Sequence, residues 1–284
     1  MMPTPFEYTR PGSLAEAFDE LGRDGSVALA GGHSLVPMLK MRLVRPSLLV
    51  DVRAVLPRGI RDGVEIVIGA ATTWRELFEA GAVREVPTAV RDCAAAIGDV
   101  QVRNHGTLGG SLAHADPASD FGAVALAVDA RLRLVSATGE RAVVASDFFA
   151  GPFATVLGKG ELIAEIALPA ELARCGSAYV AIEDPASGYA LAGAAACVNL
   201  GGAGVERCRI GLTGVAETPL RLRSVEAEVT ETGMAAARAA TAEALDSIDA
   251  LDDVHADPAY RRQLAAVVVE RALRCAVERA HALT

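Results

Sequence analysis

The sequence predicts an α+β fold, and three observations carry that reading. Short apolar strand-like runs alternate with capped amphipathic helices as far as Pro169. Beyond Pro169 the order changes to strand-like runs followed by Ala-rich helices, which marks a separate α+β domain. Two glycine clusters interrupt the first region, Gly31-Gly32 where a strand hands over to a helix and Gly106 to Gly110 in a loop between two helical stretches.

The elements follow in order. Ser13-Leu14-Ala15-Glu16 reads as a capping box, and Leu14, Ala17, Phe18 and Leu21 form an apolar helical stripe closing at Gly22 or Gly25. A short strand then enters "ALAGGHSLVPMLKMR", which resumes as a helix. Leu48 to Val52 and Val64 to Ala70 read as strands, and Thr73-Trp74-Arg75-Glu76 as a second capped helix start. Thr88 to Gly98 is helical, a glycine-rich loop follows, and Phe121 to Ala130 is helical again. "RLRLVSA" and "ELIAEIALP" are strands, the first turning Arg131 and Arg133 outward and its leucines inward. After Pro169, strand-like runs at Ser177–Ile182, Tyr189–Leu200 and Cys208–Val215 precede two or three helices reaching Leu283.

Bulk properties exclude several classes. The chain has 284 residues, a net charge of −9, 51% hydrophobic residues and only 4% aromatics. Nucleic acid and anionic membrane surfaces need clustered Lys and Arg, so neither is expected as a partner. "MMPTPFEYTR" has neither a basic n-region nor an apolar h-region, and a cytoplasmic protein is expected. Pro185 to Val205 carries no charge, but its glycines and Asn199 suit a buried strand and turn better than a membrane span. The 5 cysteines, at 93, 175, 197, 208 and 275, are scattered without a C-x-x-C pair, which predicts reduced thiols and no metal or cluster on this chain.

The glycine clusters carry the chemistry. A strand running through Ala30-Gly31-Gly32-His33-Ser34 into a helix at Leu35 leaves successive N–H groups unpaired, a nest for an anion such as phosphate. The same glycines also suit any tight turn that needs a positive φ. The second cluster, Gly106-Thr107-Leu108-Gly109-Gly110-Ser111, leads to His114, Asp116 and Asp120. Two such loops can hold a diphosphate from both sides, with hydroxyls from Ser34, Thr107 and Ser111, and a dinucleotide suits the pair. No G-x-G-x-x-G completes at Gly158 or Gly202, Gly158-Lys159 is no P-loop, and Gly32-His33-Ser34 lacks the second glycine of a nucleophile elbow.

"AGGHSLVPMLKMR" and "TLGGSLAHADPASD" resemble the two flavin-binding motifs of the medium, FAD-binding subunit of the xanthine dehydrogenase and carbon monoxide dehydrogenase family of molybdenum hydroxylases. "AYVAIEDPASGYALAGAAA" and "IGLTGVAETPLR" resemble its C-terminal domain. The resemblance implies an FAD-binding domain of the vanillyl-alcohol-oxidase (PCMH) type over residues 1–171, made of two α+β subdomains of about 1–53 and 54–171. A C-terminal α+β domain, a three-stranded antiparallel sheet with helices, follows over 172–284. It implies FAD contacts from Ala30, Gly31, Gly32, His33, Ser34 and Leu35, and from Thr107, Leu108, Gly109, Gly110 and Ser111. Asp120 matches an acidic position that hydrogen-bonds the cofactor, Ile163 an apolar residue against the flavin, and Tyr189 a position at the ring. Where many members read Arg-x-Gly-Asp before Tyr189, this chain has Pro185-Ala186-Ser187-Gly188.

The implied role is electron transfer. A large molybdopterin subunit oxidises a substrate, a small subunit with [2Fe–2S] clusters relays electrons, and the FAD of this chain passes them on, so the chain needs no catalytic base or metal of its own. A free-standing flavin oxidase of the same fold and a non-redox nucleotide-binding module are the alternatives.

Overall fold

The computed structural model describes residues 2–80, 86–202 and 204–283. Its first part contains β1 (Glu7–Thr9), α1 (Leu14–Leu21), β2 (Ser26–Leu29), α2 (Leu35–Lys40) and β3 (Leu48–Asp51). β1 and β2 flank β3 and both run parallel to it, and the segments carrying α1 and α2 make the crossovers that parallel pairing requires. Ser13 caps α1 by accepting the N–H of Glu16 at 3.2 Å. The expected reciprocal bond is displaced: Glu16 Oε2 takes the N–H of Gly12 at 2.7 Å instead of that of Ser13.

A second unit follows: β4 (Ile60–Arg61), β5 (Glu65–Gly69), α3 (Trp74–Glu79), α4 (Thr88–Ala96), α5 (Val100–His105), α6 (Leu108–His114) and α7 (Asp120–Ala127). It continues through β6 (Arg131–Ser136), β7 (Gly139–Val144), β8 (Phe149–Gly151), β9 (Ala154–Thr155) and β10 (Leu162–Pro169). Antiparallel pairing builds a five-stranded sheet of order β4-β5-β10-β6-β7. The period of two is plain on β6, where Leu132 and Leu134 are buried against Ile66, Ile68, Ile166 and the helices. On the opposite face Glu165 joins Arg133 at 2.9 Å and Arg61 at 2.5 Å. Thr73 and Glu76 form a complete capping box at α3, as the sequence predicts.

The second glycine cluster differs from expectation. From Leu108 it is helix, α6, with Thr107 as its N-cap accepting the N–H of Gly110 at 3.2 Å. Glycine inside a helix costs up to about 1 kcal/mol against alanine. Close packing is the compensation: a Cβ on Gly109 would stand 2.5 Å from the Cβ of Ala70, at the end of β5.

The remaining elements are β11 (Gly176–Glu183), β12 (Ala190–Gly201), β13 (Gly204–Thr213), β14 (Leu220–Arg221), α8 (Arg223–Thr232), α9 (Ala237–Leu245) and α10 (Pro258–His281). The expected three antiparallel strands are joined by the two-residue edge strand β14, too short to leave a periodic signal. One face of this sheet packs Ala192, Ala194 and Ala196 against Leu264, Val268 and Ala272 of α10. The other face packs Tyr179, Ala195 and Cys197 into the core that contains α4 and α7. β12 is thus covered on both faces, which accounts for its uncharged composition. No helix among the described residues is long and apolar enough to cross a membrane.

Candidate cofactor site

The strand-to-helix turn after β2 is the start of the site. Gly32 has φ +76°, a left-handed conformation open to glycine at little cost. The turn closes through Val36 N–H to the Gly32 carbonyl at 2.9 Å and Met38 N–H to the Ser34 carbonyl at 3.2 Å. The N–H groups of Gly31, Gly32, His33 and Ser34 have no acceptor among the described residues. Ser34 precedes α2 without a side-chain capping bond, so its hydroxyl is also uncommitted.

The two glycine motifs meet through their backbones. A Cβ on Gly31 would lie 2.2 Å from the carbonyl oxygen of His105 and 2.7 Å from Cα of Gly106. A Cβ on Gly110 would lie 3.6 Å from the Cβ of Ala30. The rings of His33 and His105 stack obliquely across the junction, centroids 5.9 Å apart. Gly31, Gly106 and Gly109 therefore serve the approach of one protein segment to another.

Around this junction lies a cavity of about 740 Å³, within the range of roughly 300–1,000 Å³ usual for cofactor pockets. Its walls include Ala30, Gly31, Gly32, His33, Ser34 and Leu35, then Thr107, Gly109, Gly110 and Ser111, and finally Asp120, Ile163 and Tyr189. Leu108 is the exception among the residues expected there. Its side chain is fully buried in the core and its N–H donates to the Thr72 carbonyl at 2.9 Å. As a side chain it supports the wall from behind, because position N1 of α6 turns it toward the sheet. The Gly109 N–H is likewise spent on the Ala70 carbonyl at 2.9 Å. Ser111 shares a hydrogen bond of 2.9 Å with Ser119.

Asp120 opens α7 and is buried. Its Oδ1 accepts a hydrogen bond from the phenol of Tyr179 on β11. Burial pushes the carboxyl up to about 7, assisted by the charges of Glu183 and Asp116, while the Tyr179 bond pulls the other way. Tyr179 is raised in turn by burial and by the Asp120 charge. The approach to α7 is fixed by Thr213, whose hydroxyl contacts the carbonyls of Pro117 and Ser119 at 2.9 Å each. Ile163 reaches the wall beside an irregularity in the pairing of β10 with β6. Tyr189, the residue before β12, is 49% exposed, and burial of the rest of the ring and the charges of Asp116 and Asp120 raise its hydroxyl.

Sequence reasoning missed Trp74, Asp99 and Glu161 on the wall, and Tyr179 behind it. None carries a local signature, since each arrives through tertiary packing. Among the described residues no group of three or more His, Cys, Asp or Glu is placed to hold a metal ion.

Comparison with known proteins agrees with this geometry. Residues 4–171 match the family described as FAD binding domain in molybdopterin dehydrogenase, and residues 177–276 match the CO dehydrogenase flavoprotein C-terminal domain. The carbon monoxide dehydrogenase medium chain of Hydrogenophaga pseudoflava is 38% identical over 97% of this chain and 98% of its own length. The glyceraldehyde dehydrogenase medium chain of Sulfolobus acidocaldarius is 38% identical over 81% of this chain and 82% of its own length. The solved carbon monoxide dehydrogenase from H. pseudoflava lacking the Mo-pyranopterin moiety superposes with a TM-score of 0.91 at 37% identity, covering 98% of this chain and 99% of that one. The chain therefore belongs to the FAD-binding medium subunits of the xanthine dehydrogenase and carbon monoxide dehydrogenase family of molybdenum hydroxylases.

Proposed function

We propose that the chain carries electrons, in the cytoplasm, from the iron–sulfur clusters of a small [2Fe–2S] subunit through FAD to a final acceptor, the electrons originating at a large molybdopterin subunit. The residues present fit FAD. The observation that carries the reading is the run of uncommitted N–H groups from Gly31 to Ser34 on the wall of a cavity of about 740 Å³. Such a run matches a diphosphate, which needs several convergent donors and no cation. FAD, when bound, takes up electrons singly and releases them in pairs, which joins one-electron clusters to a two-electron acceptor.

The contribution of the chain itself is binding and shaping. Gly31 to Ser34 would donate to the diphosphate, and the hydroxyls of Ser34 and Thr107 add donors beside them. Asp120 would accept from or donate to the cofactor according to its protonation, held in place by Tyr179. Ile163 gives a dry wall for an aromatic ring system. Tyr189 stands at the exposed end, where a partner or acceptor arrives.

Purified chain mixed with its iron–sulfur and molybdenum partners should bind them stably, and its flavin bands should bleach when the substrate of the complete enzyme is added. The chain alone, loaded with FAD, should keep its bands under that substrate. Bleaching of the isolated chain by a small organic substrate at a catalytic rate would replace this reading with a free-standing oxidase, and a chain that takes up no flavin would replace it with a non-redox module.

A further inference from the structure

Trp74, the single tryptophan of the chain, stands on the cavity wall but belongs to neither glycine motif. It is the first residue of α3, placed there by the capping box of Thr73 and Glu76. Three successive residues tie this helix start to the second motif. The Thr72 carbonyl accepts the N–H of Leu108 at 2.9 Å, Thr73 forms an antiparallel bridge with Thr107, and the N–H of Trp74 donates to the Gly106 carbonyl at 3.2 Å. The ring itself is 3% exposed and packs on Phe121, centroids 5.8 Å apart and planes inclined by 54°.

The pyrrole edge of the indole faces Gly106. A Cβ on Gly106 would lie 3.0 Å from Cδ1 and 3.1 Å from Nε1 of Trp74, and 2.7 Å from the Val102 carbonyl oxygen. The φ of Gly106 is −57°, which any residue adopts, so what glycine supplies here is space. Gly106 is approached in turn by Gly31, whose own Cβ would stand 2.7 Å from its Cα. The indole edge, Gly106 and Gly31 are thus in consecutive contact, all three on the cavity wall, and Gly31 begins the run of uncommitted amides.

The indole N–H has no acceptor among the described residues. Arg261 Nε is the one side-chain nitrogen or oxygen among them that is sealed from solvent without a partner. The Trp74 N–H is therefore unpartnered but not sealed, and it opens on the cavity that its residue lines. Buried polar groups are almost always hydrogen-bonded, because an unmatched donor is costly. This donor finds no match within the protein.

We propose that the indole N–H of Trp74 donates a hydrogen bond to the bound cofactor beside its diphosphate, an inference that rests on the reading of the cavity as an FAD site. Indole is a donor only, so it suits an acceptor that carries no proton, as a phosphate oxygen does. It adds a donor from α3, an element outside both glycine motifs, to the amides of Gly31 to Ser34. Gly106 is what keeps that donor uncovered, since a side chain at 106 would lie against the N–H.

The test uses the full chain and FAD. Because Trp74 is the only tryptophan, isotopic labelling of tryptophan nitrogen gives one indole N–H signal, and growth on benzothienylalanine replaces that N–H by sulfur at this position alone while keeping the shape of the ring. On saturation with FAD the indole proton should exchange with solvent about tenfold more slowly or slower still. The benzothienyl chain, with the same unfolding midpoint as the unmodified chain when both are free of FAD, should bind FAD about tenfold more weakly, as expected for one lost hydrogen bond to a charged acceptor. Trp74→Phe, which also lacks the donor, should lose at least as much. Indole exchange unchanged by FAD, or a benzothienyl chain that binds FAD as tightly as the unmodified one, overturns the inference and leaves the FAD reading intact. Weaker binding that comes with a lowered midpoint of the FAD-free benzothienyl chain makes Trp74 a packing residue and overturns it equally. A chain that takes up no FAD overturns the site reading and this inference with it.

Discussion

The phenol of Tyr179, on the first strand of the C-terminal sheet, donates its hydrogen bond to Asp120, the first residue of α7 on the cavity wall. Through this bond the C-terminal sheet holds a buried carboxyl at the candidate cofactor site. The carboxyl binds its proton more tightly in the folded chain, at about 7, than an unfolded aspartate does at roughly 3.9. The stability gained from that proton is present in full below about pH 4 and is lost as pH rises through about 7, at up to ~1.4 kcal/mol per pH unit. Asp120→Asn still accepts the Tyr179 bond but does not titrate. Urea unfolding across pH 4 to 8 should therefore show the wild type losing stability relative to Asp120→Asn as pH rises. Parallel curves would make Asp120 an ordinary carboxylate.

Tyr179→Phe removes the donor and leaves Oδ1 of a buried carboxyl unmatched. A loss of about 1–3 kcal/mol is expected, larger at pH 8 than at pH 5 because the ionised form suffers more. A loss independent of pH would reduce Tyr179 to a packing residue.

Gly32→Ala separates conformation from space. The new Cβ would meet Val36 and Leu29 at 3.3 and 3.4 Å, outside the worst contacts, but at φ +76° an L residue costs about 1–2 kcal/mol. Relaxation of the turn would re-aim the Gly31 to Ser34 amides. Retained folding by circular dichroism with FAD affinity down by about tenfold or more is the expected result, a difference of ~1.4 kcal/mol. Unchanged affinity would remove this turn from the binding site.

Gly31→Ala should behave differently. Its Cβ would collide with the backbone of His105 and Gly106, and no side chain can move aside to relieve that. A loss of about 3 kcal/mol or more in unfolding free energy is expected, with FAD binding lost as a consequence. A variant as stable as Gly32→Ala would show that the two motifs are not in contact in solution.

Tyr189→Ala tests the ring end. With the side chain half-exposed, stability should change by no more than about 1 kcal/mol and FAD affinity by only a few-fold. The flavin reduction potential or its reactivity with an acceptor should shift. Unchanged potentials and reoxidation rates would leave Tyr189 a structural part only, in the turn before β12.

The first motif is legible in the sequence because its chemistry is local. A strand, two glycines and a helix within a few residues dictate a positive φ at Gly32 and leave neighbouring amides unpaired, whatever surrounds them. The alternation of Arg131 and Arg133 with Leu132 and Leu134 is equally local, since a sheet with one wet face imposes it residue by residue. Tertiary structure decided the rest. Gly109 and Gly110 read as a loop by propensity and fold as helix because α6 must seat against Ala70 and Ala30. Leu108, inside the motif, faces the core, since a helix turns successive residues by about 100° and only some reach the cavity. The uncharged run of β12 is ambiguous as sequence, and only the covering of both faces, by α10 and by the α4 and α7 core, explains it. Asp120 and Tyr179 lie 59 positions apart, so their bond exists only once the C-terminal sheet docks. Local backbone strain and periodicity are written in short stretches of chain, whereas a buried hydrogen bond between distant elements depends on how those elements pack.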